Sequence, residues 1–132
     1  MAEWSLHHKI LLRASELSEF ASKWRPVKED GTPKKTPTLF QRFLLVVSGA
    51  STLKIHSTRL VDDLEGLTAP PVDNERKAVH KQGIELAFQL EKLARSVTSD
   101  TDSRTKLAGE LQDLSERLVE FAGIVAKLED GA

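Results

Sequence analysis

The chain has 132 residues, of which 39% are apolar and 30% charged, and its net charge is −1. That length suits one domain with one core, the apolar share is too high for a disordered chain, and near-neutrality argues against a whole-molecule field for nucleic acid or acidic lipid. Cysteine is absent, which removes disulfide staples, thiolate zinc sites and cysteine nucleophiles.

The first element the sequence predicts is a helix over 3–24. Leu6, Ile10, Ala14, Leu17, Phe20, Ala21 and Trp24 recur at three- and four-residue steps, which sets them on one helix face. Pro26 disfavours helix at the residue before it and ends the element. The segment 25–37 carries Pro26, Pro33, Pro37 and Gly31. It reads as a mobile surface loop, longer than the usual helix connection and acting as a solvated tether.

A second helix is predicted over 38–65, with Thr38 as its N-cap and Gly66 as its stop. Its ladder is Leu39, Phe43, Val46, Ala50, Leu53, Ser57, Leu60 and Leu64, with Leu67 folding back on the last turn. The ladder keeps its phase across Ser48 and Gly49, so this is one helix that can bend there. The third helix spans 73–97, capped by Asp73 or Asn74, with Val79, Gly83, Leu86, Leu90, Leu93 and Val97 in register. Turn-forming side chains fill 98–103. The fourth helix runs over 102–129 on Leu107, Leu111, Leu114, Leu118, Phe121, Ala122, Val125 and Leu128. Short links make helices 2, 3 and 4 antiparallel neighbours. The expectation is an all-α single domain over 1–132, an antiparallel up-and-down four-helix bundle. The three long helices are similar in shape to the BAG domain of chaperone cofactors, but the arginine, lysine and glutamine run of that family's last helix is not evident, and no membership follows.

Projection of helix 2 reveals a second apolar stripe, Phe40, Leu44, Val47 and Ile55, pointing away from the ladder; helix 3 adds Ile84 and Phe88. A surface of that size needs a cover. The expected cover is helix 1, displaceable on its tether; a second copy of the chain and a different protein are the alternatives. Trp4 and Leu11, off the main face of helix 1, are further contact candidates, because tryptophan is favoured at binding hot spots.

Catalytic chemistry has weaker support. His7 and His8 diverge on a helix, and no His-x-x-x-His or Glu-x-x-His pattern occurs, so no metal site is expected. His80, Lys81, Gln82 and Gly83 loosely resemble the phosphoacceptor run of histidine phosphotransfer domains, with lysine and glycine closer to the histidine than in that family. His56 with Arg59 is a second loose match. Arg76 and His80 share a face but are closer than in helical Arg-to-His ribonucleases. Glu110, Asp113, Glu116 and Glu120 alternate with cations and read as a solvated face. Arg25, Lys28, Lys34 and Lys35 form the one basic cluster, without interleaved aromatics for base stacking.

The sequence therefore predicts a non-enzymatic protein-binding or regulatory module that works through an apolar helix face. Its binding residues are expected to be Trp4, Phe40, Leu44, Ile55, Ile84 and Phe88. A histidine phosphotransfer domain, with His80 or His56 as acceptor, and a structural homodimer are the alternatives. No cofactor, no nucleic-acid partner and no membrane span are expected; the longest apolar run, 43–47, falls far below the roughly 20 residues a span needs. The start lacks a secretory pattern, so the expected setting is cytoplasmic.

Overall fold

The computed structural model describes residues 5–68 and 73–130. They form four α-helices: α1 (Leu6–Trp24), α2 (Leu39–Leu64), α3 (Asn74–Arg95) and α4 (Thr101–Asp130). A 3-10 turn, Glu65–Thr68, extends α2. No strand occurs among the described residues.

Each helix begins where a side chain satisfies the free amides of its first turn. At α2 the cap is reciprocal: Gln41 N donates to Thr38 Oγ1 at 3.2 Å and Thr38 N donates to Gln41 Oε1 at 2.9 Å. Arg76 N donates to Asp73 Oδ1 at 2.8 Å at the start of α3, and Ser103 N to Asp100 Oδ2 at 3.1 Å at the start of α4. At α1 the local candidate, Ser5, makes no side-chain cap. Glu129 from the far end of α4 takes its place, accepting Leu6 N at 3.2 Å and His7 N at 2.9 Å. The glycine stop expected at Gly66 is replaced by the 3-10 turn; Leu67 is nonetheless buried.

One core joins all four helices. Its fully buried large side chains are Ile10 and Leu17 from α1, Leu53, Leu60 and Leu64 from α2, Leu90 from α3, and Leu111, Leu118, Phe121 and Val125 from α4. Burying each such side chain is worth about 1.5–3 kcal/mol against exposure. The main packing pairs are α1 with α4 and α2 with α3; smaller α3–α4 and α1–α2 contacts complete the circuit.

Contacts run in opposite order along each neighbouring pair. Between α1 and α4, Ala14 O accepts from Ser115 Oγ at 2.8 Å and Trp24 O from Arg104 Nε at 3.1 Å. Between α1 and α2, Arg13 Nε donates to Asp63 Oδ2 at 2.8 Å, while Trp24 faces Gly49. Between α2 and α3, Ser57 Oγ donates to Ala87 O at 3.0 Å, and Leu64 faces Gly83.

Two glycines permit these approaches. A Cβ on Gly49 would stand 2.9 Å from Trp24 Cη2, and one on Gly83 would stand 2.6 Å from Leu64 Cδ2 and 2.8 Å from Phe121 Cζ. Gly49 is thus a seat for the Trp24 indole.

One expectation about the N-terminal half is corrected. Helix 1 does not cover the second stripe. Its main apolar face, Ile10, Ala14, Leu17, Ala21 and Trp24, is consumed in the shared core, and Phe40, Leu44 and Ile55 of the stripe stay exposed. The connector 25–37 folds on itself into a hydrogen-bonded turn. Val27 pairs with Pro33, Lys28 N donates to Thr32 O at 2.7 Å, Gly31 turns with φ +87°, and Lys34 N donates to Pro26 O at 3.0 Å. Lys34 Nζ then donates to Lys23 O at 2.7 Å, tying the turn to the end of α1.

Candidate functional site

The lengths of the helices create the site. Gly49 of α2 lies level with Trp24, the last residue of α1, and with Val97, just past the end of α3. Residues 39–48 therefore project beyond the ends of those two helices, about 15 Å of helix at 1.5 Å per residue. Within this projection Leu39 is 84% exposed, Phe40 69%, Phe43 63%, and Leu44 and Val47 about half. Leu45 and Val46 reach back to the core.

Of the residues expected to bind a partner, Phe40, Leu44, Ile55 and Phe88 are exposed. Ile84 is only partly exposed and packs against the core. Phe88 carries the Lys92 ammonium 4.9 Å from its ring centroid. Trp4 lies outside the described residues. Leu11 is exposed on the rim of an open groove between α1 and α4, opposite Val119. Leu39 and Phe43 were assigned to the buried ladder and are instead open. They occupy its core-facing positions, but at a level where α1 and α3 have already ended.

The projection is also electrostatically one-sided. No Asp or Glu occurs between Asp30 and Asp62, whereas Lys34, Lys35, Arg42, Lys54 and Arg59 all fall there. With the whole chain at −1, the remainder carries −6, since −1 minus +5 is −6. A groove runs along the projection, floored by Leu44, Leu45 and Pro37 and walled by Lys28, Lys34 and Lys35 of the connector.

The histidines stand elsewhere. His56 is nearly enclosed at the α1–α2 contact, its Nδ1 3.0 Å from Glu16 Oε2 but off-line for a hydrogen bond. Arg13 bridges Glu16 at 2.6 Å and Asp63 at 2.8 Å, and Arg59 approaches Glu16 at 3.7 Å. Burial lowers the His56 pKa, Glu16 opposes that shift, and Arg59 and Arg13 reinforce it. His80 keeps its Nε2 buried without a hydrogen-bond partner. His7 Nδ1 lies 2.7 Å from Glu129 Oε1. Among the described residues, no three His, Cys, Asp or Glu side chains converge as they would around a metal ion. Among the described residues, no helix is long and apolar enough to cross a membrane.

Compared with protein-family models, curated proteins and solved structures, the chain matches none.

Proposed function

We propose that this chain is an antiparallel, up-and-down four-helix bundle that serves as a non-enzymatic protein-binding or regulatory module in the cytoplasm. Its working surface is the projecting N-terminal part of α2. One observation carries the reading: Leu39, Phe40, Phe43, Leu44 and Val47 stand exposed together on one segment. Scattered apolar residues on a surface need no explanation, but a contiguous cluster with two aromatics is the signature of an interaction site. The reversed order of contacts along each neighbouring helix pair supports the topology.

The surroundings of the histidines favour this reading over phosphotransfer. A phosphoacceptor needs an imidazole nitrogen open to a donor. His80 is half-buried with its Nε2 enclosed, and His56 lies against Glu16, whose charge would repel an incoming phosphoryl group.

The test is capture of partners from native lysate by the wild-type protein and by a Phe40→Asp, Leu44→Asp variant of unchanged helicity. Loss of a partner from the variant alone is expected. Partners retained equally by both proteins would place the working surface elsewhere, and concentration-dependent self-association lost in the variant would replace the adaptor with a homodimer.

A further inference from the structure

Beside the α2 projection lies a second concavity, a cavity of about 310 Å³ where the connector, the start of α2 and the start of α4 meet. Four cations line it: Lys34, Lys35, Arg42 and Arg104. Arg104 is the unusual member, being only 7% exposed. Its Nε donates to Trp24 O at 3.1 Å and its guanidinium carbon lies 5.2 Å from the Trp24 ring centroid. Among the described residues its Nη nitrogens make no hydrogen bond and no carboxylate pairs with it. A guanidinium packed this closely ordinarily recruits a carboxylate, because desolvating the charge alone is costly; here the unpartnered Nη nitrogens keep solvent contact instead. Burial accordingly lowers the Arg104 pKa with nothing offsetting it, and the Lys34 pKa is lowered first by desolvation and then by the Arg104 charge.

The other features of the cavity act in the same direction. The N-terminus of the 30-residue α4 opens here, adding its partial positive charge. Ser99 and Thr101 bring hydroxyls to the wall. The single carboxylate, Asp100, is engaged as the cap of α4, accepting Ser103 N at 3.1 Å and Ser103 Oγ at 3.2 Å. Four cations against one carboxylate leave the lining at +3.

We propose that this cavity binds the phosphate group of a phosphorylated protein segment, whose neighbouring apolar side chains lie along α2. A phosphomonoester carries nearly two negative charges and three acceptor oxygens, which suits a guanidinium with free Nη nitrogens and two lysines. Lys34, Lys35, Thr36 and Pro37 line both this cavity and the groove floored by Leu44 and Leu45, so a chain anchored by its phosphate runs directly onto the apolar floor. The cationic cavity and the apolar floor share one edge, so a single chain can reach both at once. A symmetric second copy would bring the two cationic clusters together.

The inference rests on the protein-binding reading of α2, and the experiment separates the two. The intact protein is presented with an oriented phosphoserine peptide library, with the same library unphosphorylated, and with phosphatidylcholine vesicles containing phosphatidylinositol bisphosphate. Because Arg104 also holds the end of α1, the variant is Lys35→Glu, Arg42→Glu, both exposed. The phosphorylated library should be retained about tenfold more strongly, with Leu and Phe enriched beside the phosphoserine. The Lys35→Glu, Arg42→Glu variant should lose that preference, and Leu44→Asp should weaken retention of both libraries. Equal retention of the two libraries, still sensitive to Leu44→Asp, overturns the phosphate site and leaves the protein-binding reading standing. Retention by vesicles alone overturns both in favour of a membrane surface, and retention by none of the three overturns both.

Discussion

His56 is the residue whose environment most directly sets a measurable property. Its pKa is pushed below the ordinary 6.5, chiefly by burial, with Glu16 opposing and Arg59 and Arg13 assisting. As pH falls through about 6.5 the unfolded chain takes up the proton before the folded one, so stability declines below that pH and is flat above it. The urea midpoint of the wild-type protein should fall between about pH 7.5 and about pH 5.5, and His56→Gln should remove most of that fall. A variant that loses as much as the wild type would assign the dependence to another group. Glu129 makes a different point, because it caps α1 from 122 residues away in sequence. Glu129→Ala should cost about 1 kcal/mol in chemical unfolding, the usual worth of an N-cap. At Gly83 any added side chain meets Leu64 and Phe121; Gly83→Val should cost about 1–3 kcal/mol by overpacking, measured the same way. The histidine pattern in the sequence suggested chemistry at His80 and His56, but whether an imidazole nitrogen is open depends on which helix packs over it. No spacing rule carries that information.

At the scale of single elements, α2 shows where sequence reasoning worked and where it stopped. The three-and-four ladder correctly marked Leu53, Ser57, Leu60 and Leu64 as core, and the lower ladders of α3 and α4 hold in the same way. It also marked Leu39 and Phe43 as core, and these are open. Periodicity reports the side of a helix on which residues lie, but not how far the neighbouring helices extend. The missing signal was alignment along the bundle: Trp24 and Val97, at the ends of α1 and α3, fall level with Gly49 rather than with the start of α2. The outward stripe Phe40, Leu44, Val47 was visible from the projection, and its exposure follows once α1 is committed to the core. The cationic cavity was visible only in part. Lys34 and Lys35 stood out as a basic cluster, but Arg104 joins them only because the start of α4 docks beneath the end of α1. The projection starts at the Thr38–Gln41 capping box. Thr38→Ala should speed amide exchange over 42–48 while leaving 53–64 protected, because the first segment has few buried contacts and the second sits in the core. Equal acceleration in both segments would mean that α2 opens as one piece.

The whole molecule joins a four-helix body to an end of α2 that projects beyond it. The body is a four-helix core closed by α1, with polar locks at Ser57–Ala87 and Ser115–Ala14. The open end combines exposed Phe and Leu side chains with an acid-free, cation-rich stretch of chain. Charge of one sign beside an apolar surface steers a partner of opposite sign and discourages symmetric self-contact. The central claim is that this face is uncovered in the free protein. Urea unfolding of a Phe40→Asp, Leu44→Asp variant, with its mass in solution followed by sedimentation equilibrium, tests that claim most directly. The account predicts a monomer whose stability stays within about 0.5 kcal/mol of wild type, as for substitutions at open surface positions. A loss of about 2–5 kcal/mol, the size expected when buried apolar side chains are disrupted, would contradict it and show that α1 or a second copy covers the stripe.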